Sequence, residues 1–256
     1  MKRGKTSARR LAALDAYLVE HETALLQRVD GEFREAVFLD VGIGETPDTF
    51  LEAVDTFRLV APGLAAVAAE TAFHRVQQAR ALSEHMPGVV FRHGGFEEAS
   101  RLPVRLLRVM NVLREYPPAE VPGIHRSLVS GLLPGGLLVE GTSDKRGGLF
   151  AAHLMRKVDE AHVQRALLFF SRFENGFAPL QFRDVLPQDL RRQVKPGTAL
   201  GAFFEAWTRA WQEVRADLSP AQAFDSSLKR LSFDAPFVVG NIEMWKKGYL
   251  RLDFPH

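Results

Sequence analysis

The 256-residue sequence predicts an α/β protein built on a doubly wound, mostly parallel sheet, with an N-terminal helix and C-terminal helical and strand additions. Three observations predict it. Short apolar runs alternate with helix-period segments between residues 36 and 142. The runs are apolar throughout, the pattern of strands covered on both faces. The connections are short, as expected where right-handed crossovers lay helices on both sides of a parallel sheet.

The elements follow in order. Residues 11–29 read as a helix, with Leu11, Leu14, Leu18, Thr23, Leu25 and Leu26 approximating one apolar face. AVFLDV (36–41) reads as a strand. A helix starts near Pro47, with Thr46 as N-cap and Pro47 at the first helical position, where no amide hydrogen bond is lost. Its Phe50, Leu51, Val54 and Phe57 share a face. AAVAAE (65–70) is a second strand, and AFHRVQQARAL a helix with Phe73, Val76 and Leu82 on one side. GVVFRH (88–93) and VRLLRVMNVL (104–113) are further strands. PGIHRSLVSGLL is a short helix, and LPGG introduces a fifth strand, GLLVEGT (136–142).

Beyond residue 145 the pattern loosens. GLFAAHLMRKVDEAHV reads as a helix and ALLFFSRF as a strand. Residues 174–199 form an irregular stretch containing Pro179, Pro187 and Pro196. FFEAWTRAWQEVRA reads as a strong helix whose Phe203, Phe204, Trp207 and Trp211 form a core-packing face. FVVG and GYLRLDF read as closing strands. The expected organisation is a basic tail and N-terminal helix over 1–31 and one α/β domain over 32–256.

Composition excludes several classes. No stretch approaches the roughly 18 apolar residues that span a bilayer. LAALDAYL after a basic start loosely mimics a signal peptide, but Asp15 interrupts it and no small-residue cleavage site follows. There is no cysteine, which removes disulfides, iron–sulfur clusters, thiolate zinc sites and a cysteine nucleophile. A cytoplasmic location is the simplest reading, and export is also compatible. The first ten residues hold five of the 33 Lys and Arg and no acid, leaving 28 against 31 acids in the body. That basic tail is either a solvated end or a grip on nucleic-acid phosphates. The eight histidines show no metal-binding spacing, so no metal is expected.

The most informative stretch is FLDVGIGETPDTF (38–50). In a parallel sheet, ligands bind beyond the C-terminal strand ends. Gly42 and Gly44 let the backbone pass close to a ligand, and the following helix start adds free amides. A dinucleotide fingerprint would put Pro47 where its third glycine belongs, and a P-loop needs a Gly-Lys-Ser/Thr that is missing. Asp40 would repel phosphate and attract a cationic ligand. Glu70, ending the second strand, is placed to accept both hydroxyls of a ribose. The set suits a ligand with a ribose, a positive charge and no phosphate.

With those residues in view, VFLDVGIGETP resembles the first motif of class I S-adenosylmethionine-dependent methyltransferases. AAVAAETAFHRVQQAR is similar to their second-strand motif, and LLPGGLLVEGT (132–142) to the approach to their fifth strand. A group of uncharacterised bacterial methyltransferase-like proteins shares GGFE, NVLR-x-Y and GGLLVEGT. The resemblance covers about residues 36–142 and implies a Rossmann-like methyltransferase fold with S-adenosylmethionine as cofactor. It implies cofactor contacts from Asp40, Gly42, Gly44, Glu70, Gly95, Phe96 and Asn111. Two departures stand out: Glu45 and Thr46 replace a common third glycine, and Gly95 stands where an adenine-binding Asp is common. Phe96 either covers adenine or packs in the core. Arg114 and Tyr116, beyond the fourth strand, either face the methyl acceptor or cap that strand. The acceptor, a small molecule or RNA, has no recognisable signature. The alternative is a non-catalytic cofactor- or RNA-binding module on the same fold, and Pro47 and Asp40 disfavour a nicotinamide-dependent oxidoreductase. The arginine-rich stretch 183–197 is either a substrate-facing lid or an ordinary surface loop.

Overall fold

In the computed structural model, which describes residues 8–231, 238–239 and 242–253, one nine-stranded sheet runs through the molecule. The strands are β1 (Val37–Val41), β2 (Ala66–Glu70), β3 (Val89–His93), β4 (Val104–Met110), β5 (Leu132–Ser143), β6 (Leu149–Lys157), β7 (Val163–Ser171), β8 (Val238–Val239) and β9 (Tyr249–Asp253). Their order is β3-β2-β1-β4-β5-β6-β7-β9-β8. The first five pair in parallel, and every pairing from β5 onward is antiparallel. This is a doubly wound, Rossmann-like α/β sheet with an antiparallel extension. The strand order reverses direction between β1 and β4, which opens a crevice at their C-terminal ends.

Helices cover both faces. α1 (Ala12–Gln27), α2 (Asp48–Arg58) and α3 (Phe73–Leu82) lie on one side, where Phe38 meets Phe57 edge-on at 5.0 Å and Phe50 stacks near it at 5.9 Å. α4 (Val121–Ser130) covers the other side with Val121 and Leu128 against Leu39, Leu107 and Leu138. α5 (Ala199–Val214) and α6 (Pro220–Leu231) pack beside β7 through Phe169, Phe204 and Trp207; α7 (Ile242–Lys246) precedes β9. β1, β2 and β4 are buried along their whole length, as their unbroken apolar runs require. Among the described residues no helix is long and apolar enough to cross a membrane.

Arg105 ties α1 to the sheet. Its guanidinium donates to the carbonyls of Leu25 (3.2 Å), Leu26 (2.8 Å), Arg28 (2.8 Å) and Ala36 (3.0 Å). It thereby satisfies the acceptors that every helix C-terminus leaves unpaired.

Five local expectations are corrected. Residues 149–157 form β6, not a helix. The Ala, Leu and Met content favours a helix locally, but β5 and β7 supply hydrogen bonds along both edges, and non-local pairing wins. Gly141 lets β6 approach, because a Cβ there would fall 2.3 Å from the Ala151 carbonyl oxygen. In α3 the buried positions are Val76 and Ala79, while Phe73 and Leu82 are exposed. Phe73 packs edge-on against the His93 ring at 5.5 Å instead. Pro47, not Thr46, occupies the N-cap of α2, and the Thr46 hydroxyl donates to Asp48 at 2.7 Å. The fifth strand starts at Leu132, and the fourth ends at Met110, where Asn111 turns left-handed (φ 64°). α6 and α7 were not anticipated from the sequence. Of the expected closing strand FVVG, Phe237 and Gly240 lie outside the described residues.

Candidate functional site

The crevice is built from the turns that leave β1, β2, β3 and β4. Gly42 and Gly44 both take positive φ, 86° and 76°, which only glycine adopts without strain. A Cβ on Gly42 would also lie 2.5 Å from Val112 Cγ2, so the β1 and β4 turns touch at this point. The Gly42 N–H donates to the Ala69 carbonyl at 2.8 Å, the last rung between β1 and β2. That rung sets the glycine turn beside Glu70.

Glu70 is buried at the end of β2. Its Oε1 accepts from the Ala72 N–H (2.9 Å) and the Thr71 hydroxyl (3.3 Å), and its Oε2 lies 3.7 Å from Arg75. A carboxylate has about four lone-pair positions, so Glu70 retains capacity for further donors. On the next strand, the Gly94 N–H donates to the Glu70 carbonyl at 3.2 Å. The Gly95 N–H is taken by Glu97 at 3.0 Å, and the backbone N–H groups of Gly95 and Glu97 hold the Glu97 carboxyl below its ordinary range. Phe96 is half-buried, and its ring lies 5.6 Å from that of Tyr116. The expected adenine wall and the expected acceptor side therefore meet. Arg114 remains exposed, 3.5 Å from Glu115.

Asn111 holds a left-handed backbone that Asn tolerates better than most residues. Its Oδ1 accepts from the Ser143 N–H (3.0 Å) and from Arg10 (3.1 Å). Arg10 also donates to Ser143 Oγ (3.0 Å), the Ser143 carbonyl (2.9 Å) and the Asp144 carbonyl (2.8 Å). Next to it, the Arg9 N–H is gripped by Glu52 at 2.8 and 2.9 Å. The Arg10 side chain and the Arg9 backbone are thus held against the crevice mouth, while Arg9 itself is exposed; residues 1–7 lie outside the described residues. The pattern of charge could not reveal this, because Arg10 bonds residues more than 100 positions away.

Asp40 sits differently from the role that the sequence suggested. Its carboxylate faces inward and is engaged by the fully buried Arg108, with contacts of 2.7 and 3.2 Å. Arg108 also bonds Asp15 of α1 at 2.6 Å and the Thr49 carbonyl at 2.9 Å. Asp40 anchors the floor of the glycine turn, and its charge is met from inside.

The cluster holds two carboxylates and one guanidinium. Burial pushes the Asp15 carboxyl up to about 6, against the pull of Arg108, while Asp15 and Asp40 outweigh burial and raise the Arg108 pKa further. Asp15 therefore binds its proton more tightly folded than at the ordinary 3.8. Its protonation favours the folded state at low pH, and that advantage is lost as pH rises through about 6. Asp15→Asn is expected to flatten the fall in melting temperature between pH 4 and pH 7; an unchanged profile would exclude Asp15 as its source.

Farther along the sheet, Asp144, Arg146, Phe173, Glu174 and Asp184 line a shallow cavity of about 190 Å³ beyond β5 and β7. The stretch 183–197 packs against the crevice wall, with Gln188 donating to the Tyr116 carbonyl at 3.0 Å. Two of the eight histidines, which show no metal spacing in sequence, come together in the fold: His125 and His153 lie beside Asp189.

The fold and this crevice define an α/β protein with an open crevice at the switch point of its sheet, the place where ligands bind in such folds. No protein-family model and no curated protein matches the chain. Among solved structures, it is similar to LepI in complex with SAM, at 16% identity and a TM-score of 0.37, over 47% of this chain and 30% of that one. It is also similar to the plantazolicin methyltransferase BpumL in complex with SAH, at 10% identity and a TM-score of 0.37, over 52% and 49%. Human N-acetylserotonin methyltransferase in complex with SAM gives 16% identity and a TM-score of 0.33, over 51% and 36%. The chain spans less than half the length of each of these three.

Proposed function

We propose that the chain transfers a methyl group from S-adenosylmethionine to an acceptor held beyond β4. The observation that carries this reading is Glu70, a buried carboxylate beside the left-handed Gly42–Gly44 turn with acceptor capacity to spare. The residues present fit the cofactor. Glu70 would take the ribose hydroxyls, since a vicinal diol matches the two oxygens of one carboxylate. Phe96, with Tyr116 beside it, would give adenine an apolar wall, and Gly95, lacking a side chain, would let the ring approach the backbone. Asn111 and the Arg10 guanidinium would hold the amino-acid end, Arg10 offering its charge to a carboxylate. Asp40 acts from below, through Arg108, by holding the floor of the turn.

When bound, the cofactor supplies an electrophilic methyl group. The chain then has to align the acceptor and exclude water, and alignment is the larger part of such catalysis. Arg114 and Tyr116 are the candidate acceptor-side residues, Tyr116 being held by the Phe96 ring and by Gln188.

The test is calorimetric titration of the purified protein with S-adenosylmethionine and S-adenosylhomocysteine. Saturable binding of both is expected. Glu70→Ala removes charge-assisted hydrogen bonds and is expected to weaken binding about 10- to 100-fold. Affinity unchanged in that variant would take Glu70 out of the site, and no binding to the folded protein would end this reading.

A further inference from the structure

The second concentration of chemistry-bearing side chains lies on the α4 face, over β5 and β6. Glu140 and His153 stand directly across from each other in the β5–β6 register. α4 lowers His125 onto them, with Nε2 3.0 Å from Glu140 Oε2 and its ring 5.2 Å from that of His153, edge to face. From the stretch 183–197, Asp189 reaches His153 Nε2 at 3.1 and 3.2 Å. One donor atom each from His125, His153 and Asp189 lies within 4.8 Å of the other two. His125 and Glu140 are 1% exposed and His153 is 4% exposed. The Asp189 side chain, at 16%, opens towards the surface.

Two features of this cluster ask for a cation. Among the described residues, neither Glu140 nor Asp189 pairs with a Lys or Arg, so a buried and a half-buried carboxylate face imidazoles alone. Neutral imidazoles give these carboxylates hydrogen bonds but no opposing charge, and enclosing carboxylate charge without a cation is costly. In addition, His153 Nδ1 is buried with no hydrogen-bond partner, which is rare for an interior polar atom. Packing needs neither feature, since the surrounding Val121, Leu128, Leu138 and Met155 already fill this side of the sheet.

We propose that His125, His153 and Asp189 bind a divalent metal ion of the zinc class, with Glu140 as the residue that orients His125. Two imidazoles and a carboxylate are a donor set for borderline ions such as Zn²⁺ and Co²⁺, and not for Mg²⁺ or Ca²⁺, which take oxygen. A carboxylate hydrogen-bonded to a ligating imidazole is the usual support for such a ligand. Three protein ligands leave a position for water or a substrate oxygen, on the open Asp189 side. A bound ion would join α4, β6 and the turn carrying Asp189. Gln188, the neighbour of Asp189, contacts Tyr116, so that turn would be fixed against the crevice wall. The inference does not depend on methyl transfer.

The test uses full-length, tag-free protein stripped with a chelator and titrated with Co²⁺, read by its visible absorption, followed by displacement with Zn²⁺. One Co²⁺ per chain is expected, with the intense bands of a low-coordinate site and a raised melting temperature. His153→Ala should abolish the bands. Asp189→Asn keeps the size and a hydrogen-bonding group, so a purely structural network tolerates it, yet it should weaken Co²⁺ binding. Glu140→Gln should weaken binding about 10- to 100-fold. No saturable band with the folded protein would overturn the proposal. Equal Co²⁺ affinity in folded Asp189→Asn and Glu140→Gln would overturn it as well, by placing the ion elsewhere.

Discussion

Replacing Arg108 with leucine is expected to lower stability by about 3–5 kcal/mol, because it strands two buried carboxylates. Asp15 and Asp40 are 1% and 5% exposed, and Arg108 lies between them at 0%. The guanidinium makes four hydrogen bonds, to both acids and to the Thr49 carbonyl. Leucine fills part of the volume and meets none of these acceptors. The loss should appear in urea unfolding as a lower midpoint with an unchanged slope. A companion variant, Arg108→Leu with Asp15→Leu and Asp40→Leu, should recover much of it, since apolar replacements of a whole buried ion cluster are often neutral. A single-variant loss below about 1 kcal/mol would mean that the acids are compensated by other groups. The cofactor reading adds a consequence. Without Arg108 the floor of the Gly42 turn is unanchored, so S-adenosylmethionine affinity should fall in Arg108→Leu even where the protein remains folded.

Trp207→Ala is expected to cost about 3–5 kcal/mol, the range for a large aromatic deleted from a core. Trp207 is fully buried at the centre of an aromatic cluster. Its ring lies 5.4 Å from Phe203, 5.7 Å from Phe177, 5.7 Å from Phe182 and 5.8 Å from Phe224. Its indole N–H donates to Ser227 Oγ at 3.0 Å, joining α5 to α6. Alanine leaves a cavity that these rings cannot all relax into, and it strips Ser227 of its donor. Trp207→Phe should cost less, since much of the ring volume remains. Near-UV circular dichroism with urea unfolding measures both. A Trp207→Ala midpoint equal to the wild type would show that the cluster is not a stabilising unit. Because Phe182 belongs to the segment 179–185 that leads to Asp189, Trp207→Ala should also weaken Co²⁺ binding at the histidine cluster.

The parallel half was legible because its signals are local. β1, β2 and β4 carry continuous apolar runs, and the glycines, Glu70 and Pro47 mark the turns between strand and helix. Those features also mark the crevice proposed to hold the cofactor, since strand ends and the turns that leave them are adjacent in the chain. The antiparallel half was less legible. LFAAHLMRK has helix-forming side chains, and it is a strand because β5 and β7 hydrogen-bond to it. α6 escaped notice for a similar reason, since its Phe224 and Leu228 gain meaning from Trp207 and α5.

What the linear order could not express was which charges meet. Asp40 reads as an acid at the mouth of a loop until Arg108, 68 residues on, is found between it and Asp15. Arg10 reads as part of a solvated tail until Asn111 and Ser143 accept its hydrogen bonds. His153 and Asp189 are 36 residues apart in the chain and meet at the edge of the interior. Burial and backbone shape follow from neighbours in sequence, so one chain suffices to read them. Electrostatic partnership acts across space and is strongest where water is excluded, so it emerges when distant segments pack.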